Sequence, residues 1–138
     1  LREKVAKLIL SKSNILENVI DPHAVISKSA KIGNGVFASK GVLVNAFSTI
    51  DSFTILNTGC IIEHECEIST AVHIAPGAVL SGNVNVGAGS IIGANSTIIP
   101  NISIGTNVVV GAGAVVTKDI PDNHVFIGKT LKERKWKN

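Results

Sequence analysis

The chain has 138 residues, 45% of them hydrophobic and only 4% aromatic, with a formal net charge of +3, which bounds it to one domain with an aliphatic core. All thirteen lysines and arginines lie at or before Lys40 or at or after Lys118, so there is no basic stripe with interleaved aromatics to hold a nucleic acid. No run of about 18 uncharged apolar residues is present to cross a bilayer, and neither a nucleic acid nor a membrane is expected as a partner.

At the start, Val5, Leu8 and Ile9 share one helical face while Arg2, Lys4 and Lys7 lie largely away from it. This predicts a short amphipathic helix over residues 1–12. An extended link follows over Ile15–Asp21, and Asp21-Pro22-His23-Ala24 turns the chain into the next unit. The chain does not open on methionine and the helix has nothing to pack on. Residues 1–21 are therefore expected to be the remnant of an amino-terminal domain of a longer protein.

From Ile26 the chain repeats every six residues. First positions run Ile26, Ile32, Ala38, Val44, Ile50, Leu56 and onward to Val116, and Ala38 alone is not a branched aliphatic. Fifth positions, such as Val36, Ser48, Cys60 and Ala78, are never charged, and second positions favour turn formers such as Gly33, Asn45 and Asp51. A fixed short period of this kind marks a solenoid. Three hexads close one flat triangular coil, so each residue stacks on the one 18 places earlier, about 4.8 Å along the axis. Residues 26–115 then make about five coils of an all-β parallel helix, with first and fifth side chains inward. Burial of each large aliphatic contributes roughly 1.5–3 kcal/mol. Cys60 and Cys66 fall on fifth positions and read as buried free thiols, which points to a reducing cytoplasm.

Midway along the repeat, Glu63-His64-Glu65 places an imidazole between two carboxylates. His64 holds a third position, on a turn, where it reaches solvent. Flanking carboxylates favour the imidazolium and keep the base strong. His73 lies nine residues on, half a coil, so within one chain the two histidines point to different sides of the prism. Both serve one pocket only if His73 comes from a neighbouring subunit, which predicts a homotrimer with interfacial sites. His23 reads as a coil-entry residue, His124 as solvated, and Glu67 as a surface charge. The repeat ends at Thr117–Asn123, Val125–Gly128 reads as a last strand, and residues 129–138 form a basic tail.

The segments His23-Ala24-Val25-Ile26, Leu56-Asn57-Thr58, Glu63-His64-Glu65-Cys66, His73-Ile74-Ala75-Pro76-Gly77-Ala78 and Gly82-Asn83-Val84 resemble one branch of the left-handed β-helix, hexapeptide-repeat acyltransferases. That branch holds the sialic acid O-acetyltransferase type and bacterial enzymes that N-acetylate UDP-4-amino-sugars. The likeness spans roughly residues 15–128. It implies a left-handed coil over residues 22–128 and transfer of acetyl from acetyl-CoA to an amino or hydroxyl group of a sugar or nucleotide-sugar, in a homotrimer and without a metal. It implies His64 as general base, Glu65 as its supporting carboxylate, and Asn57 and Glu63 as site neighbours, with His73, Gly82, Ala94 and Ala112 bordering acetyl-CoA. Lys118, Lys129, Lys132 and Arg134 are then either the cations for the CoA phosphates or simply a solubilising basic tail. Family members usually follow the glycine at 128 with one residue and Pro-Ala, whereas this chain has Lys129-Thr130-Leu131.

The chemistry agrees with those roles. An amine attacking a thioester loses a proton, which a neutral imidazole accepts, worth roughly 10²–10⁴-fold. A backbone N–H near Gly82 is a candidate oxyanion donor. Two alternatives use the same scaffold. A metal-dependent trimer similar to the γ-type carbonic anhydrases needs three imidazoles around an ion, and a non-catalytic β-helix scaffold leaves the acid-flanked histidine idle.

Overall fold

The computed structural model describes Leu8, Ser11, residues 16–128 and residues 130–133. The helix expected over residues 1–12 lies, apart from Leu8 and Ser11, outside the described residues, as do Lys129 and Arg134 of the basic tail.

Each hexad folds as a two-residue strand and a four-residue corner, and successive strands feed three parallel sheets in rotation. Face A carries Val19–Ile20, Phe37–Ala38, Ile55–Leu56, His73–Ile74, Ile91–Ile92, Val109–Val110 and His124–Ile127. Face B carries Val25–Ile26 and its successors to Val115–Val116, and face C carries Lys31–Ile32 and its successors to Ser103–Ile104. Registers such as Ile55↔His73↔Ile91 and Leu43↔Ile61↔Val79 hold the 18-residue step. A strand of two residues cannot stand alone; its amides are satisfied only by the coil before and the coil after.

First and fifth positions fill the interior as their size pattern predicts. Ile50, Leu56, Ile62, Ile74, Leu80, Ile92 and Ile98 have no exposed surface, and neither do the fifth-position residues Ser48, Thr54, Cys60, Cys66, Ser90 and Ser96. The buried hydroxyls are not orphaned. Ser48 Oγ donates to the Glu63 carbonyl at 2.7 Å and accepts from the Cys66 N–H at 3.1 Å, and Ser90 Oγ does the same for the Gly105 carbonyl and the Val108 N–H. Each such serine staples both ends of the corner in the next coil, which offsets its own desolvation.

The solenoid is longer than the expected five coils, at about six. Ile20 already sits in the inward phase: Val19 and Ile20 pair with Phe37 and Ala38. The Asp21 carboxylate accepts the His23 N–H at 2.8 Å and so builds the first corner. At the other end the coil shortens by two residues, since Ile104 pairs with Ile120 and Val110 with Phe126. Ile120, a fifth position by simple counting, therefore takes a first-position slot. The Asp119 and Asp122 carboxylates accept the N–H groups of Ser103 and Thr106 there, at 2.8 and 2.7 Å. The last strand appears as expected at His124–Ile127, but Thr130–Glu133 then folds back antiparallel on it. No helix among the described residues is long and apolar enough to cross a membrane.

Every fourth position from Gly35 to Gly113 has φ between +53° and +72°. Glycine or asparagine fills most of them, as the left-handed region requires. The exceptions are Phe47, Phe53, Glu65 and Ala71, all on the coils around the acid-flanked histidine.

Candidate active site

His64 occupies the corner between faces B and C, in the turn that links Ile61–Ile62 to Glu67–Ile68. Its Nδ1 lies 3.0 Å from Glu65 Oε2, and both side chains are more than half exposed. Glu65 reaches that position because its backbone is left-handed, at φ 61°. The turn is fixed from inside: Ser48 holds both its ends, the Cys66 thiol donates to the Ser81 carbonyl at 3.2 Å, and Asn83 N–H donates to the His64 carbonyl at 2.9 Å. An exposed base is thus mounted on a turn held by hydrogen bonds from within.

Directly one coil on lies Gly82, and a Cβ there would come within 2.5–2.6 Å of His64 Cε1 and Nε2. Glycine is needed at 82 to seat the imidazole. Sequence reasoning placed Gly82 beside acetyl-CoA; in the folded chain its first neighbour is the base itself.

The remaining candidates gather elsewhere. Asn57, on the corner between faces A and B, brings Nδ2 to 3.4 Å from His73 Nε2, while Asn57 Oδ1 accepts the Thr58 N–H at 2.8 Å. His73 itself projects from face A, in register with Ile55 and Ile91. Ala94 and Ala112 lie on the same A–B corner, where the Gly113 N–H reaches the Ala94 carbonyl at 2.8 Å. One copy therefore presents two clusters: Glu63, His64, Glu65 and Gly82 at the B–C corner, and Asn57, His73, Ala94 and Ala112 along face A and the A–B corner. Asn57 is brought to His73 and not to His64. Among the described residues, no group of three from His, Cys, Asp and Glu is placed to hold a metal ion within one copy.

Both thiols are buried. Burial pushes the Cys60 thiol up to about 12 and raises that of Cys66, so neither is an ionised nucleophile near neutral pH.

Residues 83–118 match the family model for bacterial transferase hexapeptides (six repeats). The fold superposes on the perosamine N-acetyltransferase of Caulobacter crescentus, solved as a histidine variant with CoA and GDP-perosamine, at TM-score 0.91 and 37% identity over 94% of this chain and 62% of that one. The chain belongs to the hexapeptide-repeat transferase family. Its coil matches the left-handed β-helix of that family. The acetyltransferase domain of PglB from Neisseria gonorrhoeae, solved with acetyl coenzyme A, is 34% identical at TM-score 0.88 over 96% of this chain and 66% of that one. WeeI from Acinetobacter baumannii is 29% identical at TM-score 0.87, over 95% and 64%. The chain thus spans a little under two thirds of the length of these proteins. No curated protein matches it by sequence.

The exposed face of the family's coil also carries a feature that sequence reasoning passed over. Phe47 stands one coil before Glu65 at φ 62° and is 71% exposed. The signal was available: in its 18-residue column Phe47 stands among Ser29, Glu65, Asn83 and Asn101, all polar.

Proposed function

We propose that the chain is the acetyl-transferring part of an acetyl-CoA-dependent N-acetyltransferase whose acceptor is an amino-sugar carried by a nucleotide. One observation carries the reading: an exposed imidazole, His64, paired through Nδ1 with Glu65 at 3.0 Å and seated on Gly82. It stands on a scaffold at TM-score 0.91 to a protein that binds CoA and GDP-perosamine.

With the Nδ1 proton directed at Glu65, His64 Nε2 keeps its lone pair for the acceptor. The amine nitrogen attacks the thioester carbonyl carbon, a C–N bond forms, and Nε2 takes the proton the nitrogen loses. The Gly82 N–H is the candidate donor to the oxyanion. As the oxyanion collapses, the C–S bond breaks and the sulfur leaves with the proton returned from His64, giving CoA thiol and the acetylated amine. Neither cysteine takes part, and no covalent enzyme intermediate is needed.

The outward residues favour a homotrimer. Face A presents Phe37, Ile55, Ile91 and Val109, and face B presents Val25, Leu43, Ile61 and Val115; face C presents Lys31, Thr49, Glu67, Asn85 and Ser103. Packing face A of one copy on face B of the next covers both apolar faces and leaves the polar one to solvent. It also brings His64 at the outer edge of face B opposite His73 of the neighbouring face A, half a coil away along the axis. The two clusters of one chain then meet as one pocket between two chains. Lys118, two positions beyond face B, and Lys132 are the described cations for the CoA phosphates, and the buried free thiols favour a cytoplasmic home.

The test is thiol release from acetyl-CoA by the full-length protein against a panel of nucleotide-linked amino-sugars. His64→Ala is expected to lower kcat/KM by roughly 10²–10⁴-fold with the oligomeric mass unchanged. An undiminished rate in a folded variant would remove the proposal.

A further inference from the structure

The B–C corner continues beyond His64 toward the amino-terminal end. Registers Val25↔Leu43↔Ile61 and Lys31↔Thr49↔Glu67 bracket this corner in three successive coils. Lys28, Ala46 and His64 therefore form one column, and Ser29, Phe47 and Glu65 the column beside it. Hydrogen bonds tie the stack together: Glu65 N–H to the Ala46 carbonyl at 2.9 Å, and Phe47 N–H to Ser29 Oγ at 3.1 Å.

Phe47 costs the fold something and leaves most of its side chain outside the packing. A bulky residue in the left-handed region is strained, and such strain points toward function when nothing structural repays it. Phe53 offers the contrast within the same chain. It has the same φ of 62°, but its ring covers Gly35, where a Cβ would sit 3.0 Å from Cδ1. The Phe47 ring is 71% exposed. Lys28 is exposed as well, and it is the one cation of its column on the amino-terminal side of His64.

We infer that Phe47 and Lys28 form the acceptor subsite: Phe47 carries the apolar face of the amino-sugar ring, and Lys28 meets the phosphate at its anomeric end. The spacing suits this. Phe47 lies one coil from Glu65 and Lys28 two coils from His64, at about 4.8 Å per coil, so an amine held at His64 leaves its ring over Phe47 and its phosphate at Lys28. Aromatic rings take C–H faces of a ligand, and an ammonium is a point donor for phosphate. The assignment rests on the acetyltransferase reading, and it makes the acceptor a phosphorylated amino-sugar entering from the amino-terminal end, while acetyl-CoA enters from the Lys118 end.

The experiment measures acceptor binding by calorimetry on the full-length protein, independently of turnover, and steady-state constants alongside. The ligands are a free amino-sugar, its 1-phosphate and a nucleotide-diphosphate amino-sugar. Lys28→Met is expected to weaken the two phosphorylated ligands roughly tenfold and leave the free sugar unmoved, with Lys28→Arg restoring binding. Phe47→Leu is expected to raise the KM of every acceptor roughly tenfold while the Kd of CoA holds, and Phe47→Tyr to restore it. Equal loss for free and phosphorylated sugar, unchanged acceptor constants, or a Phe47→Leu protein of altered oligomeric mass would overturn the subsite. Those results leave the acetyltransferase reading standing if His64→Ala remains inactive. If no amino-sugar binds the unaltered protein, both fall.

Discussion

At the B–C corner a few ångströms decide whether His64 is a base or a surface histidine. Its ring rests where a Cβ at position 82 would be, within 2.5–2.6 Å of two ring atoms. Gly82→Ala must therefore move the imidazole, and because that ring is exposed it swings outward at little cost to folding. The expected result is a fall in kcat of at least roughly tenfold with a melting temperature within a few degrees of the parent, read by thiol release and calorimetry. The buried thiols make a second residue-scale prediction. Cys60 keeps its proton up to about 12 in the folded chain and releases it near its ordinary 9.0 once unfolded. Above pH 9 the unfolded state binds fewer protons, so stability is fully present below that pH and is lost as pH rises toward 12. Thermal melts across pH 8–11 should fall less steeply for Cys60→Ala than for the parent; parallel slopes would mean the thiol is not desolvated.

The corner rather than the strand is the unit that carries chemistry here. A two-residue strand is nearly interchangeable with its neighbours, whereas each corner differs in what its second, third and fourth positions display. The Glu63–Cys66 corner is held from beneath by Ser48, whose hydroxyl serves the Glu63 carbonyl and the Cys66 N–H at once. Ser48→Ala leaves both groups buried and unpaired. The expected cost is about 1–3 kcal/mol by urea unfolding, together with a lower kcat as the turn loosens; Ser48→Thr, which keeps the hydroxyl, should restore much of the latter. The same device at Ser90 holds the Gly105–Val108 corner and not that of His64, which supplies the control: Ser90→Ala should lose stability without the loss in kcat. If both variants lose kcat equally, the corner's rigidity is not what positions His64.

At the scale of the whole molecule, the proposed trimer gives one copy half of each of two sites. His64 and Glu65 stand on one edge of the prism, Asn57 and His73 along another face, and apolar surface covers the faces between them. If each pocket takes His64 from one chain and His73 from its neighbour, mixed oligomers of His64→Ala and His73→Ala contain some pockets with both histidines intact. Co-expressed variants are expected to regain activity that neither has alone, and light scattering should give three times the chain mass. Absence of regained activity in demonstrably mixed oligomers would place both histidines in separate functions. Much of this was legible beforehand. The period of six, the inward aliphatics at first positions and the acid-flanked imidazole on an outward turn follow from side-chain size and polarity, because a stack that repeats every coil forces each column to be uniform. The extra strand Val19–Ile20 at the amino-terminal end, the two-residue contraction at Ile120 and the returning strand at Thr130–Glu133 were not legible, because coil ends are set by capping hydrogen bonds such as those of Asp21, Asp119 and Asp122. Gly82 and Phe47 lay equally hidden. Their meaning depends on what stands 18 residues away, one coil along the axis, and only the stacked chain brings those partners within reach.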